Sequence, residues 1–181
     1  MIRTIRLLLA ATLLVLATTT AGAASREQID ADVRAAINEL YKNSGSAKEL
    51  AGKSVGMLVF PKIIKGGIGI GYEYGEGALL VGGKTVGYYN LNAGSIGFQL
   101  GGQVRSEVIL FMNQREFDKF RKSEGWKAGA DGSVAVATLG AGGQIDTETS
   151  RKPIIGFIYS NKGLMYNLTF EGSKISKIDK D

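Results

Sequence analysis

Gly67-Ile68-Gly69-Ile70-Gly71-Tyr72-Glu73-Tyr74-Gly75 decides the fold. The stretch alternates strictly. Ile68, Ile70, Tyr72 and Tyr74 fall on one side, and Gly67, Gly69, Gly71 and Glu73 on the other. Period two is the side-chain period of a β-strand. A strand face made of glycine must lie under something bulky or beside another backbone. A phosphate-binding reading of the same glycines fails, because that fingerprint needs a strand before them and a helix opening on them. Here the glycines are inside the strand. Gly82-Gly83-Lys84-Thr85 resembles the end of a P-loop. The full pattern wants glycine where Ala78 stands, and no helical spacing follows Thr85.

Further strands surround this one. Ser54 to Phe60 is an apolar run that Pro61 is expected to stop. Ala78–Val81 and Lys84–Leu91 flank Gly82-Gly83, a hairpin-turn signal. Ser95–Gln103 alternates again, and Glu107–Met112, Ser133–Leu139, Ile154–Tyr159 and Leu164–Phe170 read as strands. Gly140–Gly143 reads as a turn, and the last two strands as a hairpin across Ser160–Gly163. The charged tail from Ser173 is expected to fray.

Helical spacing is confined to two regions. Ile29, Val33, Ala36, Ile37 and Leu40 recur on one face behind the capping box Ser25-Arg26-Glu27-Gln28, which predicts a helix over 26–42. Ser46-Ala47-Lys48-Glu49 is a second capping box, opening a short turn to Ala51. Asn113 caps a helix of about ten residues that ends near Gly125. The predicted class is α+β: a single antiparallel β-rich domain, barrel- or sandwich-like, with an N-terminal amphipathic helix and one mid-chain helix.

Residues 1–23 read as a cleavable export signal, leaving 24–181 as one domain. Arg3 and Arg6 form a positive start, Leu7–Ala17 an apolar centre, and Ala21-Gly22-Ala23 a small-residue cleavage site, with the cut between Ala23 and Ala24. The apolar run falls short of the roughly 20 residues that span a bilayer. The expected location is periplasmic or secreted. Without cysteine there is no lipid attachment at the cut and no disulfide.

Composition narrows the function. The domain after the signal holds 20 basic and 17 acidic groups, a net charge of +3 spread along the chain. That is not the concentrated field of a nucleic-acid binder. With no His and no Cys, the thiolate and imidazole zinc sites and the Ser-His-Asp and Cys-His arrangements are unavailable. No metal, cofactor or catalytic residue is predicted. The 25 glycines after residue 23, about twice the usual share, are interleaved with apolar residues rather than with Ser or Pro.

The candidate binding residues are cations. Arg115, Lys119 and Lys122 share one stripe of the helix after Asn113, opposite Phe117 and Phe120. They could meet anionic lipid head groups or an acidic partner, or form a solvated face. Lys62 and Lys65 flank Ile63-Ile64 in a second apolar patch with cations. Trp126 beside Lys127 makes a third. Asn167-Leu168-Thr169 is a glycosylation sequon within a predicted strand.

Ser95-Ile96-Gly97-Phe98-Gln99-Leu100-Gly101, with Val108–Met112 and Asn113, resembles the central signature of the SYLF family. Gly129–Ala135, Tyr159–Leu164 and Leu168–Gly172 resemble its later motifs. Val59-Phe60-Pro61, Lys65-Gly66-Gly67 and Tyr74-Gly75-Glu76-Gly77 fit its N-terminal half. The resemblance covers roughly residues 30–172. It implies a non-enzymatic lipid-binding domain whose eukaryotic relatives bind phosphoinositides and act on actin at membranes. Bacterial relatives are exported or envelope proteins. An export signal, and the lack of the partner-binding module of many eukaryotic members, argue against actin as the partner. The expectation is an exported domain of the bacterial envelope that binds lipid or a membrane surface. The alternatives are an envelope structural or protein-interaction domain without a lipid ligand, and a carboxylate- or Tyr-dependent hydrolase, for which no cluster of acids stands out.

Overall fold

A computed structural model describes residues 24–97, 103–137, 145–160, 163–164, 168–170 and 172–180. The expected signal over 1–23, the Gly140–Gly143 turn and Asn167 lie outside them.

Helix α1 (Arg26–Asn43) starts where its cap predicts: the Gln28 N–H donates to Ser25 Oγ at 3.3 Å. The Gln28 side-chain amide donates to Asp32 Oδ1 at 2.8 Å. The expected cap at Ser46 is replaced by Ser44. Its N–H closes α1 on the Leu40 carbonyl, while its Oγ accepts from the Ala47 N–H at 3.1 Å. One residue thus ends a helix and begins the next, and α2 (Gly45–Lys53) starts earlier than expected.

The sheet is built on a 26-residue strand, β1 (Gly56–Val81). Pro61 does not stop it. The chain bulges between Phe60 and Ile63, where a missing N–H costs no ladder bond, and the Pro61 carbonyl accepts from Ser106 Oγ at 2.8 Å. The first half of β1 pairs with β3 (Gln103–Phe111), from Gly56↔Phe111 to Lys65↔Gln103. The second half pairs with β2 (Lys84–Gly97) through a turn at Gly82-Gly83, both with positive φ as a tight hairpin requires. β2 unites the expected strand 84–91 with the start of the one expected from Ser95.

Helix α3 (Gln114–Lys122), β4 (Trp126–Lys127), β5 (Ala135–Val136), a single helical turn α4 (Thr147–Ser150), β6 (Ile154–Ser160), β7 (Gly163–Leu164) and β8 (Lys174–Ile178) complete the chain. The sheet order is β4-β8-β2-β1-β3-β6-β5, with β7 on β6; among these strand pairs β5–β6 is parallel and the rest are antiparallel. The fold is α+β, as expected. Of the strand expected over 133–139, Ala135 and Val136 join the sheet among the described residues 133–137. At the start of the strand expected over 164–170, Leu164 pairs with Tyr159; residues 165–167 lie outside the described residues. The hairpin between Tyr159 and Leu164 forms. The tail from Ser173 is ordered rather than frayed: β8 runs against β2 from Tyr88↔Ile178 to Asn92↔Lys174, and Ile175 is buried.

β1 folds back on itself near Gly67, whose φ is +145°. A side chain at Gly77 would overlap the Val59 carbonyl oxygen, and one at Gly75 would stand 2.8 Å from Ile63 Cγ1 and 2.9 Å from the Lys62 carbonyl. The glycine face therefore lies against another stretch of its own strand. The reversal divides the core. On the inner face, Leu58, Phe60, Ile63, Leu79, Leu91, Ile109 and Phe111 pack together, closed by Phe117, Phe120 and Trp126. On the outer face, Val59, Ala78, Leu80, Val108, Leu110 and Phe157 pack under Ile29, Val33, Ala36 and Leu40 of α1 and Leu50 of α2. Trp126 is thus a core residue, 2% exposed, and not a surface patch.

The Gly77→Ala protein should lose about 3 kcal/mol of stability, since a Cβ there meets backbone that cannot yield without moving the strand. Gly94→Ala, with open space around the new atom, should change stability by less than about 1 kcal/mol. Urea unfolding of both variants measures the contrast, and equal effects would remove the close approach as a constraint.

Candidate functional site

The elbow where β1 reverses has two unlike sides. Inside it, Lys65 Nζ lies 3.2 Å from Glu73 Oε1, and Arg105 Nη2 donates to Glu73 Oε2 at 2.5 Å. Arg105 also holds Glu107 Oε1, through Nη2 at 2.8 Å and Nε at 2.9 Å. Two cations and two carboxylates form one line, Lys65–Glu73–Arg105–Glu107, that ties the second half of β1 to β3. Buried ion pairs add little net stability, but removing one member strands the other.

The two carboxylates respond oppositely. Burial alone would raise Glu73, but its bonds to Arg105 and Lys65 outweigh that and hold it below the usual carboxylate range. Glu107 is wholly buried, and its Oε2 has no hydrogen-bond partner. Burial pushes it up to about 7, against the pull of Arg105.

Outside the elbow the strand shows apolar residues to solvent. Ile64 is 48% exposed, Ile70 77%, Tyr72 55%, Tyr74 39% and Val104 54%. Ile64 and Val104 are register partners, so they share a face. Ile70, Tyr72 and Tyr74 follow on alternate positions. The Tyr72 hydroxyl donates to Asn92 Oδ1. The Tyr74 hydroxyl donates to Glu76 Oε1 at 2.8 Å, and Lys180 Nζ lies 2.8 Å from Glu76 Oε2. Burial, then the Glu76 charge, push the Tyr74 hydroxyl up to about 12.

α3 carries the other cations at the far end of the ribbon. Asn113 Oδ1 caps it by accepting from the Glu116 N–H at 2.9 Å. Phe117 and Phe120 are buried, and Phe120 stacks 4.9 Å from Phe111 and 5.8 Å from Trp126. This anchors the helix and turns Arg115, Lys119 and Lys122 to solvent. Glu116 accepts from Lys119 at 3.0 Å, and Arg121 lies over the Phe117 ring at 5.7 Å.

The five cations singled out by sequence therefore do not form one site. Arg115, Lys119 and Lys122 share α3. Lys62 is exposed near the elbow, and Lys65 turns inward onto Glu73. The α3 end of β1, at Gly56, and Lys65 are nine strand residues apart, about 30 Å along an extended chain. Glu73, Arg105 and Glu107 were not anticipated. Their one sequence signal is a charged pair, Arg105 and Glu107, on the strand face that continues inward as Ile109 and Phe111.

A third feature is a groove of about 890 Å³ between the start of α1, the β1–β2 turn and the end of β8, lined by Arg26, Arg34, Lys84 and Lys177 among others. Asp30 within it accepts from the Thr85 and Tyr88 hydroxyls at 2.9 and 3.2 Å. Among the described residues, no group of three or more Asp or Glu side chains could hold a metal ion.

An exposed apolar elbow and an exposed cationic helix are thus set on a curled, mostly antiparallel sheet. Residues 92–181 match the Ysc84 family model, described as Las17-binding protein actin regulator. The chain carries a SYLF-family domain, as the motifs from Ser95 onward indicate. The motifs at Val59–Pro61 and Tyr74–Gly77 lie before the matched segment. No curated protein matches the chain.

Glu107 supplies a signed pH dependence. With its folded pKa above the unfolded value, its contribution is complete below about pH 4.5 and is lost as pH rises through about 7. Glu73 acts in reverse, its contribution being lost as pH falls below the ordinary carboxylate range. Relative to Glu107→Gln, the unsubstituted protein should lose about 2 kcal/mol between pH 5 and pH 7.5. Urea titrations at both pH values give the difference, and a pH-independent gap would mean that Glu107 titrates as an ordinary surface acid.

Proposed function

We propose that this chain is an exported, non-enzymatic domain of the bacterial envelope that binds a lipid or membrane surface. The observation carrying this reading is α3. Its two aromatics are locked into the core, so Arg115, Lys119 and Lys122 are held outward on a rigid nine-residue helix rather than on a mobile loop. Together with Lys62 near the elbow, they give a nearly balanced chain two local positive surfaces. Each basic residue near an anionic bilayer contributes about 1 kcal/mol of attraction, within a Debye length. The family supports binding rather than catalysis, and export accounts for leaving cytoplasmic actin aside.

The second reading, an envelope protein-interaction domain without a lipid ligand, is favoured by the family description, which names a protein partner. Vesicle flotation separates the two. Protein recovered from cells expressing the full chain, its N-terminus read by mass spectrometry, should begin at Ala24. It should float at low salt with vesicles containing phosphatidylglycerol. Replacing Arg115, Lys119 and Lys122 with Gln should weaken that binding several-fold. Absence of binding to any vesicle at low salt would leave the protein-interaction reading.

A further inference from the structure

Among the described residues, the outer face of the elbow is an apolar surface left exposed. α1 and α2 shield the outer face of the sheet over Val59, Ala78, Leu80, Val108 and Leu110. Beyond that cover, the same face continues as Ile64, Val104, Ile70, Tyr72 and Tyr74, all at least 39% exposed. These five include most of the large apolar side chains exposed among the described residues; the other two, Val81 and Val86, flank the β1–β2 turn. Together they present on the order of 500 Å² of side-chain surface, as large as the largest apolar patch of a typical monomer.

We propose that this elbow is the face that enters the interfacial region of a lipid bilayer. The inference rests on the lipid-surface reading and says which end of the molecule docks, and by what force. Three observations select lipid as the occupant. First, the patch falls short of the roughly 800 Å² per partner that a stable protein dimer buries. Secondly, its charge suits a bilayer. The carboxylates nearest it are paired: Glu73 turns inward onto Arg105 and Lys65, and Glu76, on the same outer face as Tyr74, is held by Lys180. Lys62 remains exposed beside it. Thirdly, its two tyrosines combine an apolar ring with a hydroxyl, the chemistry that settles at the boundary between acyl chains and head groups.

The ion line beneath stiffens the patch. Lys65, Glu73 and Arg105 hold the inner side of the reversal, so Ile70 and Tyr72 are presented on a fixed β surface. Apolar insertion persists in salt that screens charge. The elbow therefore supplies the salt-resistant part of binding. The α3 stripe, at the opposite end, supplies the salt-sensitive part.

The test uses protein recovered from cells expressing the full chain, with neutral phosphatidylcholine vesicles and with vesicles that also contain phosphatidylglycerol, at low and high salt. The unsubstituted protein should float with both at high salt. The double variant Ile70→Ser, Tyr72→Ser should lose at least tenfold in that binding, whereas the α3 triple Gln variant keeps it. Because both substituted positions are exposed, circular dichroism should be unchanged. Independently, Ile70→Trp should show a blue shift of tryptophan emission when vesicles are added. If all proteins float only with anionic vesicles and only at low salt, the elbow proposal falls while the lipid-surface reading stands. If none floats, both fall. If the unsubstituted protein sediments as a dimer that the double Ser variant breaks, the face belongs to a second copy and the proposal is overturned.

Discussion

The approach of Gly75 and Gly77 to the backbone of Val59–Ile63 is the contact on which this molecule depends. A 26-residue strand left straight would present one face to helices and the other to water. Folded back at Gly67, it brings its inner faces together, and Leu58, Phe60 and Ile63 find Leu79 and Leu91. Only glycine permits this, because at Gly77 a single added carbon would occupy the place of the Val59 carbonyl oxygen. The line Lys65–Glu73–Arg105–Glu107 secures the same reversal. It supplies no great net stability. It makes other registers costly, since a slip by one residue would turn Glu73 outward and leave Arg105 buried without its second carboxylate.

The reversal also inverts the usual relation between polarity and burial. Within Gly67–Gly75, Glu73 is buried and Ile70 and Tyr72 are exposed. The physical reason is local. The inner side of the elbow is too shallow for bulky side chains beside a touching backbone, so glycine and one paired carboxylate occupy it. The large residues take the side where there is room. α1 and α2 cover that outer side only as far as Ala78 and Leu80, and the rest remains apolar and open.

The parts of this fold governed by local rules were legible in the sequence. The alternation at 67–75, the Gly82-Gly83 turn, the caps at Ser25 and Asn113 and the inward Phe117 and Phe120 each follow from spacing within a dozen residues. The misreadings share one cause, which is tertiary pairing. Pro61 stops an isolated strand, but in a ladder it can sit at a bulge. The tail from Ser173 looks solvated until β2 offers it an edge, whereupon Ile175 is buried and Lys180 meets Glu76. Trp126 beside Lys127 resembles a surface patch until α3 places Phe120 against it. Lys62 and Lys65 look equivalent by spacing, yet Glu73, eight residues beyond Lys65, draws one inward and leaves the other outside. Arg105 and Glu107 carried too little signal, since nothing in a charge pair at positions i and i+2 tells an inner face from an outer one.

Net charge is a poor guide to how such a domain meets a surface. A value of +3 over residues 24–181 predicts weak attraction to anything. The structure redistributes it. Glu73, Glu76 and Glu107 are held on cations, two of them within the sheet, so the exposed carboxylates are fewer than the sequence suggests. The cations on α3 are less encumbered: Lys119 at 3.0 Å and Arg115 at 4.0 Å share the single carboxylate of Glu116 on their own helix. Charge is thus drawn away from the elbow and left on the far end. A surface with its acids paired costs less to dehydrate than one with the same residues and its carboxylates in water. Apolar docking at one end and electrostatic attraction at the other are therefore consequences of a single act of folding, the reversal of β1 about Gly67.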